Sequence, residues 1–187
     1  MVDFILREDT YKLIASDYWR YTGRNVSLFR MFRATLFNHC FAYTFWLRIA
    51  ANEKGIIAKI ARNILYKLSR QYGLQIPIET SIGYGLYIGH GIGIVVNPTA
   101  KIGNNCNLSQ FTTIGANEGK AAVIGDNVYI GPSVCLVENV IIGDNVTIGA
   151  GAVVVKDVPD DATVAGVPAK IISYKSPGRY INRRWQK

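Results

Sequence analysis

Residues 122–155 read AVIGDNVYIGPSVCLVENVIIGDNVTIGAGAVVV, and within them a large aliphatic residue returns at intervals of six. The dipeptide Ile-Gly marks the same period along the chain and recurs at 82, 88, 102, 114, 124, 130, 142 and 148. The aliphatic positions define thirteen hexads: Ile76, Ile82, Ile88, Val96, Ile102, Leu108, Ile114, Ile124, Ile130, Leu136, Ile142, Ile148 and Val154. A short fixed period over such a length is typical of a repeat architecture.

Each hexad predicts a short strand followed by a tight corner. The fifth position of one hexad and the first of the next lie two residues apart, so in an extended strand both side chains point to the same face. Gly, Asn and Asp occupy the positions between, as at 125–127 and 143–145, and these residues tolerate tight corners. Because a six-residue unit cannot bury its own apolar face, successive units must stack into a solenoid. A β-sandwich is the alternative, but it would not keep one phase of six.

Two irregularities interrupt the repeat. Eight residues separate Ile88 from Val96, and ten separate Ile114 from Ile124. The first irregularity adds two residues just after His90, and the second ejects a short loop at 116–122. Since departures from a regular pattern are where sites are usually built, we expect functional residues at these two places.

The two ends of the chain differ from the repeat in charge. Residues 1–75 carry twelve Lys/Arg against five Asp/Glu, residues 76–172 carry four against eight, and residues 173–187 carry five against none. The formal net charge of +8 therefore lies in the ends, which does not favour nucleic-acid binding. The basic ends predict a surface for an anionic lipid, glycan or cofactor phosphate, with a solvated helix face as the alternative.

Aromatic content and spacing predict three regions. The first 72 residues hold 14 of the 21 aromatics and show helical spacing, which predicts an α-helical cap over 1–73 that shields the first coil. A repeat domain follows over 74–172, and a basic C-terminal arm over 173–187 is expected to be loose or to clasp another subunit.

Cysteine use and hydropathy predict a cytoplasmic protein. Cys40, Cys106 and Cys135 have no metal-ligand spacing, and their odd number favours reduced thiols. The most apolar stretch, 34–47, has 14 residues, whereas a membrane span needs about 20. We expect no membrane-spanning segment, no secretory signal and no bound metal, although peripheral contact with the inner face of a membrane fits the basic cap.

The repeat, the segment Tyr87-Ile88-Gly89-His90-Gly91 and the closing AGVPAK at 165–170 together resemble the hexapeptide-repeat acyltransferases. Within them the chain is similar to the serine O-acetyltransferase branch, including relatives that acetylate capsular polysaccharides and exopolysaccharides. The resemblance is strong over residues 74–172 and weak over the cap. It implies a mainly β fold, a left-handed parallel β-helix, a homotrimer, and acetyl-CoA in the groove between neighbouring subunits. The left hand comes from the resemblance, because connection rules alone would favour the right hand.

The resemblance also implies roles for individual residues. His90 matches the general base that takes the proton of an acceptor hydroxyl, so that transfer from acetyl-CoA is direct. Gln75 stands where the family has a His-orienting Asp, and Glu79 or a backbone carbonyl is the alternative for that role. Asp17 and Gln110 match substrate-contacting positions, although Gln110 also fits a solvent-facing corner.

The resemblance also implies that CoA contacts small residues, which let its pantetheine chain approach, and that a lysine binds one of its phosphates. These positions are Gly115, Ala116, Pro132, Ala150, Gly151 and Lys170. The alternative is that these residues are small only because the geometry of the coil corners requires it.

Two departures from the serine branch bear on the acceptor. Gly89 replaces the Asp that precedes the base, and the loop at 116–122 lacks the family's Arg-His pair, groups that suit an amino acid. We therefore expect an acetyl-CoA-dependent O-acetyltransferase acting on a sugar hydroxyl of a capsular polysaccharide or exopolysaccharide, or of its precursor. Serine O-acetylation in cysteine biosynthesis is the alternative, and a non-catalytic trimeric scaffold is a further one.

A trimeric carbonic anhydrase needs three metal-binding histidines. The chain contains two histidines, His39 and His90, so this class is excluded.

Overall fold

The computed structural model describes residues 6–186, so the first five residues of the predicted cap and Lys187 of the predicted arm lie outside it. The helices come first and are α1 Glu8–Thr22, α2 Leu28–Ala34, α3 His39–Asn52 and α4 Gly55–Tyr72. The strands follow and are β1 Ser81–Ile82, β2 Tyr87–Gly89, β3 Val95–Val96, β4 Lys101–Ile102, β5 Asn107–Ser109, β6 Thr113–Ile114, β7 Val123–Ile124, β8 Tyr129–Ile130, β9 Cys135–Leu136, β10 Ile141–Ile142, β11 Thr147–Ile148, β12 Val153–Val154, β13 Thr163–Ala165 and β14 Lys170–Ser173. The mainly β repeat with an N-terminal helical cap is confirmed.

Three sheets form the walls of a β-helix. Face 1 contains β1, β4, β7 and β10; face 2 contains β2, β5, β8, β11, β13 and β14; face 3 contains β3, β6, β9 and β12. Successive strands move from one face to the next and complete four coils before β13. The pairings are parallel up to β13, and β14 then runs back antiparallel along it.

The hexad aliphatics form one continuous core inside these walls. Leu108, Ile130 and Leu136 are at most 1% exposed, and Leu108 lies directly opposite Ile88 and Ile130 in neighbouring coils. Burying one such side chain stabilises the fold by about 1.5–3 kcal/mol before chain entropy is counted. The predicted inward orientation of the repeat is therefore confirmed.

Asparagine and aspartate build the edge between face 1 and face 2. Asn105, Asn127 and Asn145 stack there with φ values of 55°, 57° and 57°. Asn127 Nδ2 donates to Asn145 Oδ1 at 3.1 Å, and Asn145 Nδ2 donates to Asp161 Oδ1 at 3.0 Å. Asn and Asp adopt this left-handed backbone more readily than other non-glycine residues, so the amide ladder accounts for their recurrence at the corners.

The helical cap closes the first coil through α3. Tyr43 is fully buried; its hydroxyl accepts a hydrogen bond from the Ile76 N–H at 3.1 Å and donates to the Leu74 carbonyl at 3.3 Å. Phe41 and Tyr43 belong to the same apolar cluster as the interior residues of the first coil. The cap therefore covers apolar groups that the open end of the solenoid would otherwise expose.

The C-terminal segment 174–186, here called the strap, packs back along face 2 of its own chain. The Gly178 N–H donates to the Asn145 carbonyl at 2.6 Å, and Asn107 Nδ2 donates to the Tyr180 carbonyl at 3.4 Å. Near its end, Trp185 packs edge-on against Trp19 of α1 with ring centroids 6.2 Å apart. These contacts tie the strap to its own repeat and cap, so the arm is not loose, and a clasp on another subunit stays a prediction.

None of the helices within residues 6–186 is long and apolar enough to cross a membrane.

Candidate active site

His90 follows β2 directly, at the edge between face 2 and face 3, here called the histidine edge. The residue is exposed, and its φ of 52° lies in the left-handed region. In the other coils one residue per corner has a left-handed backbone at this edge, for example Phe111 and Ser133, and Gly93 holds that place in the first coil. His90 is therefore an additional left-handed residue, created by the two-residue irregularity that the sequence shows.

The cap holds the backbone on both sides of His90. The Tyr21 hydroxyl, from α1, accepts from the Ile88 N–H at 3.0 Å and donates to the Ile88 carbonyl at 3.2 Å. Cys40 Sγ, from α3, accepts from the Gly91 N–H at 3.1 Å. Burial raises the pKa of both Tyr21 and Cys40, so both groups stay protonated at neutral pH. Sequence reasoning missed both residues, because nothing in the pattern links the helices to this corner.

The same contacts restrict where an oxyanion can bind. The Gly91 N–H donates to Cys40, and the Gly93 N–H donates to the Tyr72 carbonyl at 3.0 Å. These two glycine N–H groups are therefore engaged within the protein. Neither group is free to stabilise an oxyanion in this arrangement.

Gln110 lies on the next coil, directly after the last residue of β5. The strands β2 and β5 pair in register up to Gly89 and Ser109, which precede His90 and Gln110, and beyond the irregularity the Phe111 N–H donates to the Ile92 carbonyl at 2.9 Å. Oε1 of Gln110 is buried and has no hydrogen-bond partner within residues 6–186. A buried acceptor without a donor costs about 1–3 kcal/mol, so a ligand that donates here would gain binding energy.

Most of the residues predicted to contact CoA lie along the histidine edge. Pro132, Ala150 and Gly151 follow the face 2 strands of the later coils, and Lys170 begins β14 on the same face. Gly115 and Ala116 instead follow β6, at the edge between face 3 and face 1, here called the loop edge. The predicted set thus borders both sides of face 3.

The ejected loop at 116–122 is held in place by one carboxylate. Glu138 Oε2 accepts from the N–H groups of Asn117, Glu118 and Gly119 at 2.8, 3.0 and 3.0 Å. These bonds hold the pKa of Glu138 below its usual range, with the Gly119 contact the largest cause. The loop therefore has a fixed conformation that its small, polar sequence does not suggest.

Two residues predicted to orient His90 do not reach it. Gln75 pairs with Val95 on face 3, and its side chain points into solvent-exposed space. Glu79 is exposed in a turn at the loop edge. No hydrogen bond within the described residues joins either side chain to His90, so this geometry gives Gln75 and Glu79 no orienting contact.

Asp17 is fully buried rather than open to a substrate. Its carboxylate accepts from Arg48 Nε at 2.8 Å, from Arg48 Nη2 at 3.0 Å and from the Leu86 N–H at 2.7 Å. Arg48 also donates to the carbonyls of Ile82 and Gly83 at 2.8 and 2.6 Å. The predicted substrate contact of Asp17 is corrected, because this ion pair joins α1 and α3 to the first coil and leaves the carboxylate no exposed surface.

An exposed histidine at a coil corner of a parallel β-helix fits the class of hexapeptide-repeat transferases, and comparison with known proteins supports this class. Residues 121–156 match the family model "Bacterial transferase hexapeptide (six repeats)". Serine acetyltransferase 1, chloroplastic, of Arabidopsis thaliana is 37% identical over 145 residues, which cover 75% of this chain and 44% of the plant protein. Serine acetyltransferase of Synechococcus elongatus is 38% identical over 118 residues, which cover 60% of this chain and 48% of that protein.

A solved structure covers more of both chains than these two relatives do. The serine acetyltransferase of Neisseria gonorrhoeae, crystallised in complex with serine, superposes with a TM-score of 0.73 and 31% identity, covering 88% of this chain and 69% of that one. The chain belongs to the serine acetyltransferase family of hexapeptide-repeat transferases. It spans less than half the length of the two curated relatives named above.

These relatives contradict the predicted acceptor. The proteins named above are serine acetyltransferases, not polysaccharide acetyltransferases, so the prediction of a capsular or exopolysaccharide sugar is wrong. The alternative, serine, is better supported. The prediction rested on Gly89 and on the loop at 116–122, two departures from the serine branch near His90.

Proposed function

We propose that this protein transfers the acetyl group of acetyl-CoA to the hydroxyl of serine, with His90 as general base. The observation that carries the proposal is the exposed His90, fixed on both sides by Tyr21 and Cys40, in a chain similar to serine acetyltransferases. An alcohol is too weak an acid to attack a thioester unaided, so a base must take its proton as the new bond forms.

The reaction proceeds in two steps in this proposal. His90 takes the hydroxyl proton while the serine oxygen attacks the thioester carbonyl, which gives a tetrahedral intermediate. The C–S bond then breaks, the sulfur receives the proton held by His90, and O-acetylserine and CoA leave. The small residues Pro132, Ala150 and Gly151 leave room for the pantetheine chain beside the histidine edge, and Lys170 supplies a charge for a phosphate.

Release of the CoA thiol with serine as acceptor tests the proposal. Replacing His90→Ala should lower kcat by about 10²- to 10⁴-fold, which is the usual contribution of a positioned general base. His39→Gln is the matched control, because His39 lies at the start of α3, stacked on Tyr72. Undiminished transfer by H90A would overturn the mechanism, and failure of the wild-type protein to acetylate serine would overturn the substrate.

We also propose a homotrimer, the oligomer that the family resemblance implies. Val123 and Ile141 lie next to each other on the outside of face 1 and are 43% and 57% exposed, and Val95 on face 3 is 38% exposed. Covering these side chains with a second copy would remove apolar surface from water. Sedimentation equilibrium tests this, and a monomer mass at micromolar concentration would contradict it.

We propose in addition that the cap contacts an anionic membrane surface. Phe29, Leu36 and Phe37 are 60%, 72% and 82% exposed beside an apolar groove of about 330 Å³ between α2, α3 and α4. The exposed bases of these helices are Arg30, Arg33, Lys59, Arg62, Lys67 and Arg70. The acid in this part of the chain, Glu53, is bound by Arg7. Apolar side chains flanked by unopposed bases fit anionic headgroups.

Vesicle sedimentation tests the membrane contact. Binding is expected with vesicles containing phosphatidylglycerol, not with pure phosphatidylcholine, and should weaken with salt and in the variant Phe37→Ser. Equal binding to both kinds of vesicle would contradict the proposal. A doubling of the protein's mass in solution that F37S abolishes would also contradict it, because the groove would then bind a second copy of the chain.

A further inference from the structure

A polar cavity lies between α1, face 2 and the strap. It has a volume of about 400 Å³ and is lined by two arginines, three tyrosines and two asparagines. These are Arg20, Tyr21, Tyr87, Asn107, Tyr180, Asn182 and Arg183. No carboxylate belongs to the described lining, so the cavity is positively charged.

Arg20 is a buried cation without a counter-charge in contact. It is 4% exposed, and its guanidinium donates to three neutral oxygens: the Asn182 carbonyl at 3.0 Å, the Gly85 carbonyl at 2.8 Å and Asn107 Oδ1 at 2.7 Å. No ion pair within residues 6–186 involves it, since nearby Asp17 is bound to Arg48. Burial lowers the pKa of Arg20, which shows the cost of keeping its charge there. A bound anion would offset that cost.

Arg183 brings a second guanidinium to the cavity from the far end of the chain. Its Nη1 donates to the Tyr21 carbonyl at 2.5 Å, which holds the strap against α1. Its remaining N–H groups have no acceptor among the described residues. Paired guanidinium groups with nearby hydroxyls are well suited to a carboxylate, because the planar fork of arginine matches its two oxygens.

The cavity adjoins the strand that carries the proposed base. Tyr87 begins β2 and lines the cavity, and its ring lies 3.4 Å from where a Cβ on Gly89 would be. Gly89 immediately precedes His90. Because Gly89 has no side chain, the surface between the cavity and His90 is open at this position.

We propose that this arginine cavity binds the carboxylate of the amino-acid acceptor and so holds its hydroxyl toward His90. The inference rests on the proposed function and names residues that supply the acceptor's charge partner in place of the ejected loop, which has no arginine. A phosphate of CoA has related chemistry, and the experiment below separates the two sources.

The test compares L-serine with L-serinamide, which keeps the hydroxyl and the amine but lacks the carboxylate. In the variant Arg183→Gln, KM for serine should rise about 10- to 100-fold, the usual range for losing a hydrogen bond to a charged group. KM for serinamide should change less than about twofold on the same argument. Arg183→Lys, which keeps the charge without the fork, should give an intermediate KM for serine.

Lys175→Gln is the matched control, because Lys175 is an exposed strap cation that does not line the cavity. It should leave every KM near the wild-type value. Equal changes for serine and serinamide in R183Q, or a rise confined to the KM of acetyl-CoA, would overturn the inference while leaving serine as the substrate. If the wild-type protein acetylates an acceptor other than serine, the proposed function fails first and this inference fails with it.

Discussion

Replacing Asp17→Asn removes one charge from the buried ion pair that joins the cap to the first coil. Arg48 is 3% exposed and would keep its charge without a carboxylate within reach. Removing one partner of a buried pair destabilises a protein by about 3–5 kcal/mol. For a chain of this size each kcal/mol lowers Tm by about 2–4 °C, so the expected loss is about 6–20 °C.

Thermal unfolding at fixed protein concentration measures this loss. Asp9→Asn is the control, because Asp9 is an exposed carboxylate on the same helix, and its Tm should stay within about 2 °C of the wild type. The double variant Asp17→Asn, Arg48→Met should lose less than the two single variants together, because it leaves no unpaired charge.

Kinetics distinguish the structural role of Asp17 from the substrate contact that the family resemblance implies. Below its own Tm, D17N should show a KM for serine within about threefold of the wild type, since the carboxylate has no exposed surface. An unchanged Tm together with a tenfold rise in KM for serine would refute the structural reading and restore the substrate contact.

Three further outcomes follow from single side chains. Cys135, half-buried on face 3, should react with a thiol reagent at pH 8, whereas Cys106 should be protected, because burial raises its pKa to about 12. Mass spectrometry of labelled peptides measures the two reactions, and equal labelling of both cysteines would contradict the prediction. The fold lowers the pKa of Glu138, so its carboxylate stabilises the loop above the ordinary pKa of glutamate, and this stabilisation is lost as pH falls through the lowered value. Proteolysis of the loop should therefore increase at acid pH in the wild type but not in Glu138→Gln, and identical pH profiles would argue against this role. Leu108→Ala at the centre of the core should cost about 2–5 kcal/mol in chemical unfolding, and a loss under about 1 kcal/mol would mean that the coils do not share one core.

The repeat was predictable because each hexad states the same local rule. An aliphatic side chain such as Ile130 points inward and a residue such as Asn127 turns the corner, so the inference for one coil is supported by the others. The irregularity after Ile88 was also visible, because it breaks a strict period, and it drew attention to His90. Local pattern therefore predicts the walls of the molecule and the position of its proposed base.

The remainder of the site was not predictable in this way, because it is built from contacts between residues far apart in sequence. Tyr21 reaches Ile88, and Cys40 reaches Gly91, across separations of 67 and 51 residues. No period or motif in the sequence connects such residues. The opposite error occurred with Asp17. Its position matched a substrate contact of the family, but its carboxylate is paired with the buried Arg48.

The strap shows how these two kinds of information combine. Its basic composition suggested only an arm attracted to anions, since nothing in residues 174–186 specifies what they pack against. In the structure the strap crosses face 2 and places Arg183 beside Arg20, which is 163 positions earlier in the chain. The strap can bring Arg183 to a cavity that Tyr87 of β2 also lines. The absence of charged residues next to His90 in the sequence is therefore no argument against an amino-acid acceptor. If the arginine cavity binds the acceptor's carboxylate as proposed, acceptor specificity depends on where the strap packs as well as on the repeat that carries the proposed base.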